Sequence, residues 1–185
     1  MRASYRKYGA PLKPHEDMPM NSRFQRVTPF LWFNKQGEEA ANFYTSVFPN
    51  SRILDRTYYA KEASDTTGQP TGSVMTVAFQ LDGQDFTAIN GGPAFTFTPA
   101  VSLVVNCQSE EEVDYYWSKL TEDGDESAQQ CGWLKDRYGL SWQVVPTEVI
   151  EMLKGSDAAA VSRVTATIMR SKKLDLKELR KAAVG

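Results

Sequence analysis

The chain has 185 residues, 41% hydrophobic and 24% charged, with Lys+Arg 21 against Asp+Glu 23, the balance of a globular protein rather than a disordered or fibrous one. A net charge of -2 offers no strong field for nucleic acid or an anionic membrane, and no run of about 18 apolar residues could span a bilayer. A chain of this length buries roughly 70% of its unfolded surface and needs no disulfide, metal or cofactor to fold; Cys107 and Cys131 lack Cys-x-x-Cys spacing and fit a reducing cytoplasm.

Residues 1–26 differ from the rest. They carry Arg2, Arg6, Lys7, Lys13, Arg23 and Arg26 against Glu16 and Asp17, include three prolines, and show no hydrophobic periodicity. They read as a flexible basic arm, holding His15, the only histidine. No apolar stretch marks a secretory signal, and Pro11 and Pro14 interrupt an Arg-bearing presequence.

From Val27 the chain repeats itself. Thr28-Pro-Phe-Leu-Trp-Phe-Asn34 is an apolar, aromatic run that predicts a buried strand, and Glu38 to Tyr44 opens a helix with Ala40, Phe43, Tyr44, Val47 and Phe48 on one face. Offset by 72 positions, Ala100 to Asn106 predicts a second strand and Glu110 to Tyr116 a second helix. Ser109 with Glu112 forms a capping box, and Val113, Tyr116, Trp117 and Leu120 make the buried stripe. Strands are expected over 52–59, 73–81 and 85–90 in the first copy, with Asp82-Gly83 as a hairpin turn, and over 130–135 and 140–145 in the second. Residues 62–72, rich in Ser, Thr, Gly and Pro, are expected to form an exposed loop. After Pro146 three helices follow, the first capped by Thr147, the second over about 157–169, the third over 174–183 with Leu176 and Leu179 inward. The division is a basic arm (1–26), a first βαβββ module (27–98), a second βαβββ module (99–146) and C-terminal helices (147–185), an α+β fold.

This duplicated unit resembles the vicinal oxygen chelate superfamily, the glyoxalase, bleomycin-resistance and extradiol dioxygenase group. The wording is closest to its PhnB-like branch, often labelled 3-demethylubiquinone-9 3-methyltransferase-like. Four segments carry the resemblance: Thr28–Asn34 with Glu38–Tyr44; Asp82-Gly83-Gln84 running to Asn90-Gly-Gly-Pro93; Val113–Trp117; and Cys131–Asp136 with Gly139–Pro146. The resemblance implies two modules whose strands curl into open barrels, often completed across a homodimer, with a small-molecule cleft in each barrel. It says less about chemistry.

Methyl transfer by the common doubly wound fold needs a Gly-rich turn after the first strand. The turn here, Asn34-Lys-Gln-Gly37, has a single glycine. Metal-dependent relatives take ligands from the first and last strands of each module; the corresponding positions fall near Thr28, Ala100, Thr87 or Ala88, and Gln143. That leaves at best one weak carbonyl ligand where a catalytic centre needs about three, so no metal and no cofactor are expected.

What remains is a cleft lined by aromatic and amide groups. Trp32, Trp133 and Trp142 lie on strands expected to face the barrels, where indoles stack on a planar or apolar ligand, although tryptophans in strands are as often core. Gln143 occupies a metal-ligand position and can donate and accept hydrogen bonds; its bland alternative is pairing to a neighbouring strand. Asn90, heading Asn-Gly-Gly-Pro, can fix a ligand carbonyl or simply serve the turn. Cys131 is the candidate reactive thiol, with only Lys135 or Arg137 to activate it, and a buried inert cysteine is the alternative reading. The sequence therefore supports a metal-independent cytoplasmic protein that binds an apolar or planar organic ligand as a homodimer, with no nucleic-acid or membrane partner. A second reading is catalytic: an isomerase or lyase using a side-chain base or a recruited metal, with methyl transfer ranked below both.

Overall fold

The computed structural model describes residues 25–185; the arm expected over residues 1–26 lies outside the described residues except for its last two. In the first half, β1 (Phe30–Phe33) leads into α1 (Gly37–Val47), followed by β2 (Arg52–Tyr58), α2 (Lys61–Thr67), β3 (Val74–Leu81) and β4 (Gln84–Asn90). The strands form one sheet in the order β1-β4-β3-β2, with β1 parallel to β4 and the other pairs antiparallel. Asp82 and Gly83 take positive φ, 43° and 80°, the backbone that a two-residue hairpin requires.

The stretch expected as an exposed loop over 62–72 instead contributes most of α2. Lys61 pairs with Asp65 one turn on, Thr66 and Thr67 turn their hydroxyls back onto the carbonyls of Glu62 and Ala63, and Gly68 ends the helix at φ 71°. Its turn-forming composition is satisfied inside one short helix.

The second half contains β5 (Leu103–Cys107), α3 (Glu110–Thr121), a 3-10 turn (Glu126–Ala128), β6 (Trp133–Lys135) and β7 (Ser141–Pro146). Here the order is β5-β7-β6, with β5 parallel to β7, so the module expected as βαβββ over 99–146 has two strands after its helix rather than three. The strand expected from Gln130 starts only at Trp133, because Cys131 and Gly132 both adopt positive φ, 56° and 83°, and fold Gln130 back onto Trp133. Their N–H groups donate instead to the carbonyls of Ser171 and Lys172. Ser109 accepts from the Glu112 N–H at 3.3 Å, while Glu112 returns to the Gln108 N–H at 2.6 Å, a capping box whose second bond reaches one residue before the cap.

Alternation along the strands turns Val77, Phe79, Phe86 and Ala88 of the first sheet, and Leu134, Trp142 and Val144 of the second, into one core. Tyr44 of α1 touches both walls, with its ring 6.4 Å from Phe79 and 5.4 Å from Trp142. The inner faces of both sheets therefore share α1, and the outer faces point away from this core. By the strand register, Trp32, Thr87 and Ile89 fall on the first outer face, and Trp133, Gln143 and Val104 form a row across the second.

Helices α4 (Thr147–Leu153), α5 (Ala158–Arg170) and α6 (Leu176–Val184) follow and bury a smaller core of Val149, Val164, Leu174 and Leu179. Asp157 and Asp175 cap α5 and α6 through their carboxylates. Lys173 pairs with Asp114 of α3, and the Leu176 N–H donates to Glu110 at 2.7 Å. No described helix is long and apolar enough to cross a membrane.

Candidate functional site

The five residues assigned to a shared cleft are distributed over three places. Trp142 alternates inward on β7 and is 2% exposed, with its indole N–H donating to Asp136 Oδ2 at 2.8 Å and its ring stacked on Phe48 at 5.4 Å. It belongs to the core between the sheets. Trp133 and Gln143 lie directly opposite one another on β6 and β7, on the outer face of the second sheet. Gln143 donates its amide N–H to Ser102 Oγ at 2.8 Å, and no described residue donates to its carbonyl oxygen. An acceptor opposite a tryptophan is thus left open on this surface.

Trp32 lies at the far end of the first sheet. Its indole N–H donates to the Gly92 carbonyl at 2.9 Å, and Phe95 meets its ring edge to face at 5.0 Å. A cavity of about 280 Å³ runs from Trp32 and Phe97 to Tyr138 and Gly139 of the second half. Asn90, at the end of β4, uses its whole amide within the protein: Oδ1 accepts from the Gly37 N–H at 2.7 Å and Nδ2 donates to the Val74 carbonyl at 3.1 Å. This ties the start of α1 to the sheet, supplying an N-terminal partner from outside the helix. Asn90→Ala is expected to cost about 2 kcal/mol of stability, because it strands a helix N–H and a strand carbonyl; an unchanged urea midpoint would remove this role.

The sequence offered no sign of the most heavily bonded polar group. Asp136 is 2% exposed, and its carboxylate accepts four bonds: Tyr138 N–H at 2.9 Å and Leu140 N–H at 3.0 Å on Oδ1, Tyr44 hydroxyl at 2.7 Å and Trp142 indole at 2.8 Å on Oδ2. Asp136 opens the β6–β7 turn, its carbonyl accepting from the Gly139 N–H, and only the packing of α1 against that turn brings Tyr44 to it. Burial raises its carboxyl above the ordinary value although all four bonds pull the other way. Nearby, the Tyr138 hydroxyl donates to Glu39 at 2.9 Å, and burial followed by that carboxylate pushes it up to about 12.

The two cysteines differ. Cys107 is 1% exposed, and burial, then Glu112, pushes its thiol up to about 12, the environment of an inert thiol. Cys131 is half-buried at its left-handed turn, with Sγ 3.9 Å from Met169 Sδ; Lys135, its nearest candidate activator by sequence, pairs with Asp125 instead.

The donors at the strand positions do not suit a divalent metal. Thr87 and Gln143 offer a hydroxyl and an amide, and no group of three His, Cys, Asp or Glu side chains that could hold an ion occurs among the described residues.

Comparison with known proteins agrees with this architecture. A family model described as 3-demethylubiquinone-9 3-methyltransferase matches residues 25–145. A solved PhnB protein from Bacillus cereus that bears the same methyltransferase description is 39% identical, covering 66% of this chain and 100% of its own, with a TM-score of 0.57. A Staphylococcus aureus protein is 28% identical over 68% of this chain and 98% of its own, at a TM-score of 0.30. The fosfomycin resistance protein FosX of Listeria monocytogenes, solved with Mn(II) and sulfate, is 14% identical over 70% and 95%, at 0.48; these last two carry no functional argument. No curated protein matches. With the family model spanning well over half of the sequence and the Bacillus protein matched over its full length, the chain belongs to the 3-demethylubiquinone-9 3-methyltransferase family, the PhnB-like branch of the vicinal oxygen chelate superfamily.

Proposed function

We propose that this chain binds an apolar or planar organic molecule against the outer face of its second sheet, without a resident metal. The observation that carries the reading is the Trp133–Gln143–Val104 row, in which an indole and a 48% exposed valine flank an amide carbonyl with no donor among the described residues. An aromatic surface supplies the affinity for such a ligand and a single oriented amide fixes its direction. The β1 edge is open to pairing with a second copy of the chain, and sedimentation as a monomer at micromolar concentration would remove the dimer from the proposal.

The family description names a methyltransferase, but the turn into α1 gives a nucleotide-like methyl donor no open helix end. Its one glycine, Gly37, already donates its N–H to Asn90, and a Cβ there would sit 2.9 Å from the Asn90 side-chain oxygen. Binding rather than transfer is the reading these residues support.

The test is a screen of aromatic compounds by thermal shift, followed by titration of the best binder. Gln143→Ala is expected to weaken it about tenfold, the worth of one hydrogen bond in a half-buried site, with little change in Tm. Prior treatment with EDTA should leave the affinity unchanged. Equal affinity in the variant would take Gln143 out of the site, and loss of binding after chelation would overturn metal independence.

A further inference from the structure

The open side of β5 faces the β3–β4 hairpin across a second cavity, of about 430 Å³, which shares Val104 with the Trp133–Gln143–Val104 row but not Trp133 or Gln143. Its wall is a run of stacked rings: Trp142 against Phe48 at 5.4 Å and 20°, and Phe48 against Tyr116 at 5.1 Å and 20°. Asp82 of the hairpin and Glu112 of α3 line it as well, and among the described residues no lysine, arginine or histidine does. The Tyr116 hydroxyl makes no hydrogen bond among the described residues. Burial and then Glu112 raise it, with Cys107 and Asp82 adding to the effect, so both carboxylates act on the same point of the wall.

We propose that this cavity is a binding site for an organic cation, a protonated amine carried on an aromatic or alicyclic ring. The ring lies along the Phe48–Tyr116 wall and the ammonium faces Asp82 and Glu112, with the Tyr116 hydroxyl as a further acceptor. A neutral molecule gains the apolar wall alone, and an anion meets two carboxylates with no compensating cation among the described residues. A dehydrated divalent metal has no comparable place: Glu112 already spends one oxygen on the Gln108 N–H, and both carboxylates are exposed.

The experiment titrates the full-length chain with naphthylmethylamine and with its neutral counterpart, naphthylmethanol, following tryptophan fluorescence at low ionic strength. The amine is expected to bind about tenfold tighter than the alcohol, a preference that falls as salt is added. Combining Asp82→Asn with Glu112→Gln should erase it, while both shapes persist: asparagine tolerates the left-handed backbone at residue 82, and glutamine keeps the capping acceptor at 112. Gln143→Ala is expected to leave the amine affinity unchanged, which separates this site from the outer face of the second sheet. Equal affinity for amine and alcohol, a preference that survives the double substitution, or no binding of either compound would each overturn the proposal.

Discussion

Asp136→Ala is expected to lower the free energy of unfolding by about 4 kcal/mol and the Tm by about 10 °C. The substitution removes the one acceptor shared by Tyr44 of α1, Trp142 of β7 and the backbone N–H groups of Tyr138 and Leu140, and leaves all four donors in a space water cannot freely enter. Each stranded donor costs about 1–3 kcal/mol, partly recovered as the site relaxes. Tyr44→Phe removes a single donor and keeps the ring stacked on Phe79, so it should cost about 1 kcal/mol. Chemical denaturation of both variants measures the difference, and a loss for Asp136→Ala no larger than for Tyr44→Phe would show that the carboxylate is not the junction described.

The same group has an unusual pH signature. A carboxyl held above its ordinary value binds its proton more readily in the folded chain, so its contribution favours folding as pH falls through the raised value and disfavours it as pH climbs back. Glu148, lowered chiefly by its hydrogen bond with Arg180, runs the opposite way: its contribution is present above the ordinary carboxylate range and lost as pH falls through its lowered value. The stability gap between wild type and Asp136→Ala should therefore widen, not close, on mild acidification.

Gly91→Ala is expected to cost about 3 kcal/mol, an effect out of proportion to one added methyl group. A Cβ on Gly91 would lie 2.2 Å from the six-membered ring of Trp32. The indole cannot yield by rotating a flexible end, because its N–H is bonded to Gly92 and Phe95 stands against its ring. Either the Asn90–Gly92 segment lifts from β1, breaking the bonds from Gly91 N–H to Phe33 and from Gly92 N–H to Asn34, or Trp32 leaves its position. A Tm depression with a shifted indole N–H resonance for Trp32 is the expected result; an unperturbed Tm would mean that the segment and the ring adjust freely.

The duplicated strand-helix pattern was legible because both copies encode it locally, through apolar runs and stripes at helical spacing. The hairpin at Asp82-Gly83 and the Ser109 cap were legible for the same reason: each is specified by two to four neighbouring residues. Thr147, expected to cap the helix after Pro146, is instead the first residue of α4 and donates its hydroxyl to the Cys107 carbonyl of β5. The site was not legible, and Trp142 shows why. Alternation along β7 assigns Trp142 and Gln143 to opposite faces, but it does not say which face meets the helices; that depends on Tyr44, ninety-odd positions away. For Asn90 the residues allow a ligand-facing or a turn-forming role; its actual partners come from elsewhere, Gly37 once β1 pairs with β4 and Val74 once β3 does. The cavity beside β5 was hidden in the same way, since Phe48 and Tyr116 both read as stripe residues of separate helices.

The C-terminal helices lie beyond residues 25–145, the region matched by the family model, and carry their own small core. Besides the direct run of β7 into α4 and the packing of Leu174 against Gly132, their links to the rest are polar: the Ser171 and Lys172 carbonyls on the Cys131–Gly132 turn, the Thr147 hydroxyl on the Cys107 carbonyl, Glu110 on the Leu176 N–H, and the part-exposed Lys173–Asp114 pair. A segment with its own apolar cluster and a thin attachment behaves as a separate cooperative unit, opening at a lower free energy than the body that carries it. Salt weakens the ionic part of that attachment while leaving the body's apolar core nearly untouched. Added salt is therefore expected to make the helices open more often, and faster thiol labelling of Cys131 at higher ionic strength would report it; a labelling rate independent of salt would mean that the Lys173–Asp114 pair does not hold them.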